Sequence, residues 1–171
     1  MVNHVTSILP PMRLFGLKNK LWKLSGIDIG MSARVISSVN LWGVGKISIG
    51  ERVFIGHDSL LLTGDSGIRI ADDVDIGPRV VIVTGSHKID MVGPRSAGDG
   101  CSKGIVVECG AWIGAGAVVL GGVNIGEKAV IGAGSIVTES IPSHVIAAGV
   151  PCKPISKWDS TKNQWVRIGF E

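Results

Sequence analysis

Hydrophobic positions in the second half of the chain recur every sixth residue. In the segment 113–137 the aliphatics are Ile113, Val119, Ile125, Ile131 and Val137. Four places after each of the first four stands a small residue: Ala117, Val123, Ala129 and Ser135. A helix repeats at 3.6 residues and a strand at 2, so six is neither. It is a short strand plus a turn, used repeatedly. Glycine follows the aliphatic at Gly114, Gly126 and Gly132, where its freedom of backbone angle is expected to serve the turn. A fixed period of this kind predicts a parallel β-helix, in which each coil lies about 4.8 Å above the last. One six-residue unit cannot bury its own aliphatic, whereas stacked coils bury whole columns of them.

The same pattern pairs Ile49 with Val53, Ile55 with Ser59, Ile70 with Val74, Ile76 with Val80 and Val107 with Ala111, and it starts weakly at Ile27. It breaks between Leu61 and Ile70, where "TGDSG" predicts a small corner loop. It breaks again between Ile82 and Val107, where a stretch rich in Gly, Ser, Asp and Lys predicts a loop extruded over residues 84–104. Residues 1–26 read as a helical cap segment. Within them Leu14, Leu17, Leu21 and Leu24 have helical spacing, accompanied by Arg13, Lys18, Lys20 and Lys23, with no acid before Asp28. Such a helix covers the open end of a coil stack; its basic amphipathic character also suits peripheral contact with an anionic membrane. Residues 156–171 lose the period and are expected to fold back over the last coil.

Composition narrows the picture. The chain of 171 residues is one domain's worth, and its 45% hydrophobic content with only 5% aromatic suits a prism filled with Ile, Val and Ala. A formal net charge of +3 is too small to argue for nucleic acid. The cysteines Cys101, Cys109 and Cys152 are odd in number and lack metal-ligand spacing, which suits reduced thiols in the cytoplasm. No apolar run reaches the ~18 residues of a membrane span, and no secretory leader is visible.

Three segments carry a family resemblance: "IGPRVVIVTGSHKID", "CGAWIGAGAVVLGGVNIGEKAVIGAGSIV" and "IPSHVIAAGVPCKPI". Over residues 27–155 the chain resembles the hexapeptide-repeat acyltransferases. Within them it is most similar to the galactoside- and maltose-type sugar O-acetyltransferases and to relatives in bacterial polysaccharide synthesis. The resemblance implies an all-β fold, the left-handed parallel β-helix. It also implies a homotrimer with active sites between subunits, and transfer of acetyl from acetyl-CoA to a sugar hydroxyl with no metal.

A hydroxyl is a poor nucleophile at neutral pH and needs a base, for which imidazole is suited. His87, at the root of the long loop, matches the family's catalytic position. Its orienting partner is Asp90, Glu108 or a backbone carbonyl. Asp65, in the corner break, and His57 are the candidates for acceptor contact; many relatives carry Asn near the latter. The resemblance assigns Trp112, Ala115, Ala133, Thr138 and Lys153 to acetyl-CoA. Glu139 and Ser156 depart from the family, standing where basic residues are common, with Lys157 as a replacement cation.

Rival readings remain at this level: acetylation of an amino sugar, serine or an antibiotic, covalent catalysis by Cys101 or Cys109, a non-catalytic scaffold, or a zinc carbonic anhydrase of the same fold. The last needs three converging histidines, and His87 has no histidine neighbour in sequence.

Overall fold

The computed structural model describes residues 2–168. Its frame is a left-handed parallel β-helix of triangular section, whose three faces are parallel sheets. The first coil contains β1 (Asp28–Ile29), β2 (Arg34–Val35) and β3 (Asn40–Gly43); the second β4 (Ile47–Ile49), β5 (Phe54–Ile55) and β6 (Leu60–Thr63). The third contains β7 (Ile68–Ile70), β8 (Asp75–Ile76) and β9 (Val81–Val83), after which the chain leaves the prism as a hairpin, β10 (Gly85–Ile89) and β11 (Ala97–Ser102). It returns through β12 (Ile105–Val107), β13 (Trp112–Ile113) and β14 (Val118–Leu120), then β15 (Asn124–Ile125), β16 (Val130–Ile131) and β17 (Ile136–Val137).

The predicted columns run straight through these coils. On the first face Ile29, Ile49, Ile70, Val107 and Ile125 stack in register. On the second the column is Val35, Ile55, Ile76, Ile113 and Ile131. On the third it is Leu41, Leu61, Ile82, Val119 and Val137. All these residues are buried, as are the small residues four places on, such as Ala117 and Ala129. Ser59 is buried in such a position, where its hydroxyl donates to the Gly77 carbonyl and accepts from the Val80 N–H.

The glycine that follows many of the aliphatics serves a different purpose from the one expected. The left-handed backbone angle falls two residues after it, at Gly116 and Gly134, and even at Arg52 and Lys128. Gly114 is required by closeness of coils instead. A Cβ there would lie 2.6 Å from the Ala133 nitrogen.

Both ends of the prism are covered. Beyond β17, β18 (Val145–Ala148) adds to the second face, and the antiparallel strands β19 (Lys153–Asp159) and β20 (Gln164–Arg167) extend it outward. The closing segment is thus a hairpin continuous with that sheet. At the opposite end lie α1 (Val2–Ser7) and α2 (Phe15–Leu24). The Asn3 amide pairs with both backbone groups of Leu41, as a neighbouring strand would.

Helix α2 sits opposite to its hydrophobic pattern. Leu14, Leu17 and Leu24 are exposed, while Lys18, Asn19 and Trp22 are buried against the first coil. The reason is that the coil's end presents carbonyls. Asn19 Nδ2 donates to the carbonyls of Gly30, Met31 and Ala33, the last at 2.8 Å. Lys18 Nζ donates to the Pro11 carbonyl at 2.9 Å and to Ser37 Oγ at 3.1 Å, and lies over the Phe15 ring. Burial lowers the Lys18 pKa below that of a free lysine. Unmet carbonyls are costlier than exposed leucine, so polar side chains take the inward face.

Candidate active site

The extruded segment is an ordered antiparallel hairpin, in which Gly85 faces Ser102 and His87 faces Gly100. Its root is tied to the corner below by hydroxyls. Thr84, buried, accepts from the Gly64 N–H at 2.8 Å and donates to the Ser66 carbonyl. Ser102 Oγ donates to Thr84 Oγ1 and accepts from the Ser66 N–H. The hairpin therefore leaves the prism in a fixed direction.

Between His87 and Ile89 the register shifts, and the extra residue lies in the partner strand β11, where Gly98 and Asp99 oppose Lys88 alone. A bulge bends the strand that holds it, here at the residue whose carbonyl meets the histidine. His87 is exposed, with Nδ1 2.8 Å from the carbonyl oxygen of Gly98. A carbonyl can only accept, so Nδ1 carries a proton, and in the neutral ring Nε2 keeps a lone pair for a ligand. The other orienting candidates are engaged elsewhere. Asp90 accepts from the N–H groups of Val92 and Gly93 at the hairpin turn, and the Gly93 bond first, then the Val92 bond, holds its carboxyl below the usual aspartate range. Glu108 pairs with Arg69 at 2.9 Å.

The other residues singled out in the sequence divide between two corners. Asp65 lies between Gly64 and Ser66, the two residues bonded to the hairpin root, so it shares a corner with His87. Thr138 joins them, lining a cleft of about 270 Å³ with Thr84, Ser86, Cys101 and Lys103. Lys103, near the end of the loop, adds to this cleft a cation that belongs to no sequence motif. On the adjacent corner Ala115 and Ala133 are stacked, with the Gly134 N–H donating to the Ala115 carbonyl at 2.9 Å. His57 stands lower on that edge, its Nδ1 3.4 Å from Ser38 Oγ, and Trp112 projects half-exposed from the neighbouring face. Lys153 pairs with Glu139 at 2.8 Å, so its ammonium already has an anionic partner. The two corners flank the third face, and one chain does not bring His87 and Ala115 together across it.

Among the described residues no three His, Cys, Asp or Glu side chains converge as a metal site would require. Cys152 is buried, and that burial raises its thiol pKa above the usual value. Among the described residues no helix is long and apolar enough to cross a membrane.

Residues 104–139 match the family model for "Bacterial transferase hexapeptide (six repeats)". Galactoside O-acetyltransferase from Lactococcus lactis is 33% identical over 149 residues, 86% of this chain and 69% of that protein. The chain spans little more than half the length of the next curated relatives, 56%, 53% and 55%. Among solved structures, a hexapeptide-repeat-containing acetyltransferase from Vibrio cholerae complexed with acetyl-CoA superposes with a TM-score of 0.77 at 28% identity, covering 93% of this chain and 86% of the other. A maltose O-acetyltransferase from Clostridium difficile gives a TM-score of 0.74 at 27% identity, with 93% and 83% covered.

Proposed function

The chain belongs to the hexapeptide-repeat acetyltransferases, and from that premise we propose that it transfers the acetyl group of acetyl-CoA to a hydroxyl of a saccharide or saccharide precursor. The observation that carries the reading is His87, fixed by the Gly98 carbonyl with Nε2 free. In this reading Nε2 takes the hydroxyl proton as the acceptor oxygen attacks the thioester carbonyl. The carbonyl becomes an oxyanion, held by a backbone N–H. Its collapse breaks the C–S bond, and the CoA thiolate leaves with the proton from the imidazolium. Asp65 and His57 contact the acceptor. Trp112, Ala115 and Ala133 leave a shallow track for the pantetheine arm. Thr138 and Lys153 serve the cofactor's far end.

A homotrimer completes the site. Beyond Asn40 of the first coil the outward rows of the third face are apolar: Leu60, Val81, Val118 and Ile136 follow it in one, and Trp42, Leu62, Val83 and Leu120 form the next. On the first face the corresponding row is Asp28, Ser48, Arg69, Val106 and Asn124. An apolar face of this extent suits burial against copies of the chain. Its two edges carry the two half-sites, so packing would set the His87 corner of one subunit beside the Ala115 corner of the next. A reduced compartment, the cytoplasm, fits three unpaired thiols, and polysaccharide biosynthesis fits the acceptor class. The test is a screen of sugars and nucleotide sugars with acetyl-CoA, read by release of free CoA. Turnover on a saccharide hydroxyl supports the reading; turnover confined to amines or serine contradicts it.

A further inference from the structure

We infer that helix α2 docks the end of the prism on an anionic lipid surface. That helix is inverted relative to its hydrophobic pattern. Its inward sector is filled by Lys18, Asn19 and Trp22, which close the first coil. The leucine stripe is therefore left pointing away from the coil stack, with Leu14 52%, Leu17 46% and Leu24 85% exposed. The segment leading into the helix adds to the same end, for Ile8 and Met12 are exposed too. Among the described residues the packing leaves these side chains largely uncovered, while Leu21, the fourth leucine of the stripe, is half-buried.

Charge selects the occupant. Beside the stripe at helical spacing stand Lys20 and Lys23, both exposed, with exposed Arg13 just before the helix. The helix itself carries no acid, since none precedes Asp28 in the sequence; across the coils Lys23 also faces the Glu51 carboxylate. A leucine stripe edged by cations on one side, with no acid among them, is the profile of a helix lying in a membrane interface: leucines enter the acyl boundary and lysines reach phosphate. A protein partner would need an acidic rim around an apolar groove. A second copy of this end meets the complement badly, since it brings the same cations face to face. Because the stripe lies at the end of the prism, a trimer with parallel axes would present three stripes to one plane, and the weak affinity of a ten-residue helix would be multiplied by avidity.

The test uses the intact protein and sedimentation with vesicles of phosphatidylcholine alone or mixed equally with phosphatidylglycerol. Binding is expected to the mixed vesicles only, and to weaken as salt is raised. The double variant Leu17→Ser, Leu24→Ser is expected to lose binding while its melting temperature and mass in solution stay unchanged. Lys20→Gln with Lys23→Gln should weaken binding by roughly fivefold per lysine removed. Equal binding to neutral and anionic vesicles, or none to either, overturns the inference. So does a fall in oligomer mass in the leucine variant, which would make the stripe an interface between copies.

Discussion

His87 Nδ1 and the carbonyl oxygen of Gly98 lie 2.8 Å apart, bridging the two strands of the hairpin that leaves the prism. The bond dictates one tautomer, Nδ1–H with Nε2 bare, in the resting protein. Nitrogen-15 spectra of the imidazole should show Nε2 as the unprotonated nitrogen of the neutral ring. A spectrum with the proton on Nε2 would mean that the ring is turned and that the basic nitrogen faces the hairpin.

The capped end gives a contrast in stability. Asn19→Ala removes a donor from the carbonyls of Met31 and Ala33, the latter buried, while that of Gly30 keeps the Ala33 N–H. It should cost about 1–3 kcal/mol, the scale of one buried carbonyl left unmet. Leu17→Ser, on the exposed stripe, should fall within about 0.5 kcal/mol of the parent. Thermal or denaturant unfolding measures both, and a larger loss at Leu17 would refute the orientation of α2.

Two glycines in one turn separate closeness from backbone angle. Gly114→Ala drives a methyl toward the Ala133 nitrogen, and should cost at least about 1–3 kcal/mol through strain between coils. Gly116 has φ of +69° and nothing within 4 Å of the added Cβ. Gly116→Asn should cost no more than about 1 kcal/mol, since asparagine visits that region. The reverse order in unfolding free energy would contradict this division of labour.

The frame was legible because a period of six has one packing solution, and the columns beginning at Ile29, Val35 and Leu41 continue through every following coil. What escaped the sequence has physical causes. The leucine spacing of α2 says which residues share a side, but the carbonyls of Gly30, Met31 and Ala33, which no residue identity announces, decide which side faces inward. Gly98 offers only its backbone to His87, so the sequence leaves Asp90, Glu108 and a backbone carbonyl as equal candidates and cannot name which carbonyl. Glycine after Ile113, Ile125 and Ile131 is plain in the repeat, yet its cause lies in the next coil. The position of His87 was legible from its motif and loop; the distribution of Asp65 and Ala115 between two corners required the coil count.

The apolar third face yields a prediction for assembly. Leu62 and Leu120 lie outward on it, 38% and 36% exposed in the single chain. Charging both, Leu62→Lys with Leu120→Lys, should convert a trimer into folded monomers in light scattering and abolish turnover while each prism keeps its circular dichroism. A wild-type protein that is monomeric at micromolar concentration would remove the inter-subunit site.

The central claim rests on one variant, His87→Ala, assayed on the acceptor that the screen identifies. The columns hold the prism without help from an exposed imidazole, so the variant should keep its oligomeric mass and bind acetyl-CoA nearly as before. Its kcat should fall on the order of 10²–10⁴-fold, the usual worth of a positioned base, with little change in cofactor affinity because the proton moves only as the hydroxyl attacks. His57→Ala, on the other corner, should cost less. Near-normal turnover by the His87→Ala protein would contradict the mechanism outright.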